Sequence, residues 1–243
     1  MYPLRFIKTL IFSSFFLFTS LNAQDEKKDK KLIEFSGNIN LTNNGFSFIP
    51  LFSLGKPATT INLSISGKRL SFDPQFRFDL DGIRPWSFLF IWHYKLIQKE
   101  KFTLRLGTYF PAYAFTKTNY TRNFKSVDVL TPQRYFIWSS YINYIISNKV
   151  NLGLFYLNGK GLEKTDQNDQ ASFISLRSNI RNINLIKSLS ININSEIYFL
   201  KVDLNHGYYM AQTISIKYDN LPFYLSSTFN KAIDSNINAK TFD

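Results

Sequence analysis

The sequence predicts an all-β fold, an antiparallel up-and-down β-barrel that crosses a membrane with its strands. Three observations predict it. Segments of about the length a membrane strand needs alternate apolar and polar residues. The connections between them alternate between short and long. The N-terminus reads as an export signal, and no cysteine follows it. The segment 84–96, RPWSFLFIWHYKL, shows the alternation best, with rings at Trp86, Phe88, Phe90, Trp92 and Tyr94. Aromatics make up 17% of the chain while mean hydropathy is −0.15, which suits strands with one apolar and one polar face and not apolar helices.

In chain order, residues 1–23 read as a signal peptide. Arg5 and Lys8 form its positive start, TLIFSSFFLFTSL its apolar stretch and LNA its small-residue cleavage site. The apolar run is short for an anchoring helix. Cleavage removes two cations and no acid, so the net charge of +12 falls to +10. Residues 24–31, QDEKKDKK, form a charged linker with no core-forming side chain, and 32–243 form the barrel. The absence of cysteine excludes disulfides, thiolate chemistry, Cys-ligated metals and a lipoprotein anchor.

Alternating segments follow at 32–41, 59–66, 69–80, 84–96, 101–110, 133–146, 149–157, 172–183, 189–200, 208–218 and 221–230. A twelfth begins at 238. Twelve strands are expected, within a range of ten to fourteen. The third is the cleanest: Leu70, Phe72, Phe76, Phe78 and Leu80 oppose Arg69, Ser71, Asp73, Gln75, Arg77 and Asp79. Pro74 within it marks a bulge or a weak ladder position. The even connections (67–68, 98–100, 147–148, 186–188, 219–220) are short. The odd ones (42–58, 111–132, 158–171, 201–207, 231–237) are longer, except the third, DGI. Short periplasmic turns and long external loops produce this rhythm, with the N-terminus on the periplasmic side. Tyr and Trp near segment ends (Trp86, Tyr94, Tyr109, Tyr113, Tyr144, Tyr208, Tyr209, Tyr218) are expected at the lipid–water interfaces.

The loop rhythm, the signal ending LNAQ and residues 45–96 resemble outer-membrane β-barrel proteins of Bacteroidota, in members to which no activity is attached. The resemblance implies an outer-membrane barrel in contact with lipid and lipopolysaccharide, inserted by the barrel insertion machinery. Such barrels end on a C-terminal aromatic, whereas this chain ends KTFD, so its last strand is expected to run on beyond Asp243.

Parity assigns a lumen-lining set of Arg69, Asp73, Arg77, Asp79, Lys95, Arg105, Arg177, Arg181 and Glu196, joined by Lys101 and Lys217. The lipid-facing set is Phe72, Phe76, Phe78, Trp86, Phe88, Phe90 and Trp92. The basic lumen suggests a passive, anion-leaning pore for small solutes. Against it stands a lumen plugged by its own hydrogen-bonded side chains, in a structural barrel that binds partners through external loops. Nucleic acid is not expected, because the charge lies on strand faces of an exported chain.

Enzymatic readings are weaker. His93 lies mid-strand and reads as a packed polar residue. His206, near Asp203 and at the rim shared with Asp79 and Asp81, faintly resembles the Asp–His pair of the omptin proteases, but its spacer is two residues where theirs is one. No His-x-Ser, phosphate loop or metal-ligand cluster is present, so no catalytic residue, cofactor or metal is expected.

Overall fold

A computed structural model describes residues 33–47, 53–122, 125–163, 170–186, 188–218 and 221–237. The expected signal peptide, linker and twelfth segment (238–243) lie outside the described residues.

Among the described residues, twelve strands form one antiparallel sheet: β1 (Glu34–Thr42), β2 (Ala58–Ser66), β3 (Leu70–Phe72), β4 (Gln75–Asp79), β5 (Arg84–Gln98), β6 (Phe102–Arg122), β7 (Lys125–Ile145), β8 (Val150–Gly161), β9 (Gln170–Ile186), β10 (Leu189–Val202), β11 (Asn205–Tyr218) and β12 (Tyr224–Ser235). Apart from β3 and β4, which share one position, each strand pairs with its sequence neighbours, the up-and-down order. β3 and β4 are two halves of one strand position, split at Asp73–Pro74, and both lie between β2 and β5. Proline lacks the N–H that a continuous ladder needs there. The sheet curls until its ends meet: the Tyr224 hydroxyl of β12 donates to Asn40 Oδ1 of β1 at 3.2 Å. Among the described residues no backbone ladder joins these two strands, which run in the same direction.

Two of the expected long connections are instead strand. Residues 111–132 extend β6 and β7 into a ribbon paired out to Arg122 and Lys125. Thr116, Thr118, Thr121, Val127, Val129 and Thr131 supply β-branched side chains that favour extended backbone. Pro111 falls in a bulge of the β6–β7 ladder, where its missing N–H is tolerated. Residues 201–207 likewise reduce to a two-residue turn, Asp203–Leu204, with Asp203 at φ 51°. The end opposite the short turns, expected to be the outer one, is therefore built from lengthened strands as well as loops.

The outer surface is apolar. Phe72 stacks on Trp92 at 4.3 Å between centroids, and Phe88 meets Phe76, Phe78 and Phe115 edge-on at 5.4, 5.5 and 5.0 Å. Trp92, Trp138, Leu176, Ile197 and Leu225 are exposed. On β5 the alternate set, Ser87, Leu89 and Ile91, is buried inside at 0–5% exposure.

Candidate functional site

The barrel interior holds most of the candidate residues, in two tiers. The outer tier is apolar, contrary to the expectation of a polar inner face. Leu89 and Ile91 on β5, Tyr135 and Ile137 on β7, and Leu200 and Val202 on β10 belong to one buried cluster. Rings continue it from strand to strand. Tyr141 meets Phe155 at 6.3 Å, Phe155 meets Phe173 at 6.0 Å, Phe173 meets Tyr198 at 5.1 Å, and Tyr198 stacks on Tyr209 at 4.9 Å. Beyond the ladder, the Tyr198 hydroxyl donates to Asn230 of β12 at 2.8 Å, and the Tyr209 hydroxyl shares a hydrogen bond with Ser235. Phe173, Tyr198, Leu200 and Tyr209 are at most 2% exposed. Tyr209 and the half-buried Tyr109, both expected in an interfacial girdle, thus belong to the interior.

The strands that fill this tier are apolar on both faces there. On β10, Ile197 is exposed while Tyr198 and Leu200 are buried. The continuous runs SFLFIW, YFIW and IYFL are the signal for a strand covered on both sides.

The inner tier, toward the short turns, is polar and partly paired. The Asp73 carboxylate accepts from His93 Nδ1 at 2.7 Å, Ser64 at 2.5 Å and Ser71 at 2.8 Å. His93, Gly107 and Ser139 share one register row across β5, β6 and β7. A Cβ at Gly107 would lie 2.7 Å from the imidazole and 2.6 Å from Ser139 Oγ, so glycine leaves the space into which both side chains lean. Arg177 donates to Glu196 at 2.7 Å and to Ser175 at 3.1 Å, and lies 4.3 Å from the centroid of the Phe155 ring. Arg105 sits over Tyr141, 5.4 Å away, and is the register partner of Lys95. Such contacts let cations sit in a confined interior without leaving every donor unmatched.

The remaining candidates scatter. Arg77 donates to Gln75 at 2.9 Å and lies 5.4 Å from the Trp86 ring. Asp79 and Asp81 both bind Arg84 at the outer rim, at 3.3 and 2.9 Å. Arg69 and Arg181 are exposed at the short-turn end. Trp86 departs from its expected lipid-facing place. It is 6% exposed and packs where a Cβ on Gly45 would come within 3.2 Å of it. The cause is a bulge: Arg77 faces Ser87 but Phe78 faces Pro85, so one extra residue on β5 breaks the parity. Phe72, Phe76, Phe78, Phe88 and Phe90 are half-buried by one another on the outer surface, and Trp92 is exposed.

At the rim, His206 is exposed and Asp203 accepts from the Gln170 backbone N–H at 2.9 Å. Glu163, in the connection after β8, accepts from the backbone N–H and guanidinium of Arg134. Slight burial pushes its carboxyl up, but these hydrogen bonds outweigh that and hold it below the usual glutamate range. No cluster of three or more metal-ligating side chains occurs among the described residues.

The opposite wall differs. β12, β1 and β2 turn Ser226, Thr228, Ser36, Asn38 and Asn62 inward, most of them exposed. Asn62 donates to Asn38 at 2.7 Å, and Thr228 shares a hydrogen bond with Thr213 at 2.9 Å.

No family model and no curated protein matches the chain. Among solved structures, "OmpT (in-vitro folded), an outer membrane protein of Vibrio cholerae" is similar at a TM-score of 0.36 and 9% identity, covering 86% of this chain and 90% of that one. A likeness that loose carries no functional information.

Proposed function

We propose that this chain is an outer-membrane barrel sealed by its own side chains, acting through what it displays at its outer end. The observation that carries this reading is the burial of the inward rings and aliphatics, with Leu200 and Ala112 at 0% and Phe173 and Tyr198 at 2%. Residues lining an open channel would be wet. The exposed apolar band on the other face is the counterpart of hydrocarbon. The displayed element is the β6–β7 ribbon, which carries exposed Tyr120, Val127 and Val129 on one face, with Tyr120 opposite Val127. The partner in this reading is a surface protein, and the barrel is a scaffold.

A second reading is the anion-leaning pore. The hydroxyl- and amide-lined wall of β12, β1 and β2 favours it, together with an excess of cations over Asp73 and Glu196 in the inner tier. Swelling of vesicles that carry the refolded chain separates the two. A sealed barrel leaves sugar and chloride uptake at the level of empty vesicles. Uptake that falls in Arg105→Glu for chloride alone supports the pore.

A further inference from the structure

We infer that the short-turn end of the barrel is a binding surface for the anionic headgroups of phospholipids in the leaflet it faces. The inference rests on the membrane reading above and concerns a different part of the molecule from the sealed lumen. Lys68, Arg69, Lys99, Lys101, Lys149 and Lys217 are all exposed at this end. Against them stand only Glu34 and Glu100 among its described residues, and none of the six cations has a carboxylate within 4.0 Å among those residues. The outer end is closer to balance. There Arg84 is paired with Asp79 and Asp81, Lys117 with Asp128, and Arg134 with Glu163, Asp203 and Asp234 add negative charge, and Lys56, Lys160, Lys201 and Lys231 have no carboxylate within 4.0 Å among the described residues. The short-turn end therefore carries the larger positive excess.

Two features set the depth of this charge. The connections that carry it, 67–69, 99–101 and 146–149, are three or four residues long and cannot reach beyond the strand ends. Tyr94, Tyr144 and Tyr218 are exposed near the same strand ends. Amphipathic rings settle at headgroup level, which places the neighbouring ammonium and guanidinium groups at the depth of lipid phosphates. A phosphate with a net negative headgroup meets these cations over a distance shorter than the screening length. A cell-wall polymer or a soluble acidic protein would have to be reached by longer loops.

The test uses the full chain refolded into vesicles of phosphatidylcholine and phosphatidylglycerol. Lipids that stay bound on extraction into detergent are read by native mass spectrometry. Phosphatidylglycerol is expected to be retained in preference to phosphatidylcholine, and the preference to shrink as salt rises. It is expected to fall about fivefold for each cation removed in Lys99→Gln and Lys101→Gln. Lys117→Gln at the other end is expected to leave it unchanged. Retention without preference, or a preference indifferent to salt, would overturn the inference even if no variant refolds. So would an equal loss in Lys117→Gln. A chain that stays dissolved without detergent would overturn the membrane reading as well.

Discussion

The wall from β5 to β11 and the seam where β12 meets β1 share one backbone geometry and differ in what they turn inward. The first is filled by Leu89, Ile137, Phe173, Tyr198 and Leu200, all buried. The second turns Ser226, Thr228, Ser36 and Asn38 inward, and its strands are joined by one side-chain hydrogen bond, Tyr224 to Asn40, and by no ladder among the described residues. The difference shows where stability resides. A buried ring or aliphatic loses contacts outright when truncated, whereas an exposed hydroxyl exchanges one hydrogen bond for another with water.

The largest expected effect is in the filled wall. Leu200→Ala and Phe173→Ala should each cost about 2–5 kcal/mol, read from urea unfolding of the refolded barrel. Thr228→Val or Asn38→Ala at the seam should stay within about 1 kcal/mol. A seam variant as costly as Phe173→Ala would erase the contrast between the two regions.

Next is Gly107→Ala. Its Cβ would lie within 3 Å of both the His93 ring and Ser139 Oγ, so the imidazole must leave Asp73 or the strands must part. A loss of about 1–3 kcal/mol is expected, with a shift in the His93 ring resonances. Glu196→Gln should be milder, about 1–2 kcal/mol, because Arg177 keeps Ser175 and the Phe155 ring.

The smallest effect concerns Glu163. Its carboxyl is held below the ordinary range, so the clasp on Arg134 is present above the unfolded-chain value and is lost as pH falls through the lowered one. Proteolytic nicking of the β8–β9 connection should rise below about pH 4 in the wild type. In Glu163→Gln it should already be high at neutral pH and should no longer vary in that window.

These contrasts also explain what the sequence could reveal. The alternation of 69–80 identifies its strand position because apolar and polar side chains there have different neighbours: Phe76 packs against Phe88 and Phe90, whereas Arg77 lies beside the Trp86 ring and Gln75. The filled tier is harder to read. Tyr198 and Ile197 are both apolar, and nothing local says which one meets lipid. Trp86 is misplaced because a bulge is a pairing event between strands, invisible in either strand alone. The β6–β7 ribbon is hidden by Pro111 and Pro132, which break a pattern on paper but fit a bulge and an exposed ribbon in space. The Asp73–His93 pair joins residues twenty positions apart, and only the register of β3 against β5 brings them together.

The central claim is that side chains from β5 to β12 close the lumen. Single-channel recording of the refolded chain in a planar bilayer tests it most directly. The sealed interior predicts a flat baseline for the wild type, with steps appearing only when Phe173 and Tyr198 are both replaced by alanine. Regular unitary steps from the unaltered barrel, with a chloride preference that Arg105→Glu reverses, would contradict it.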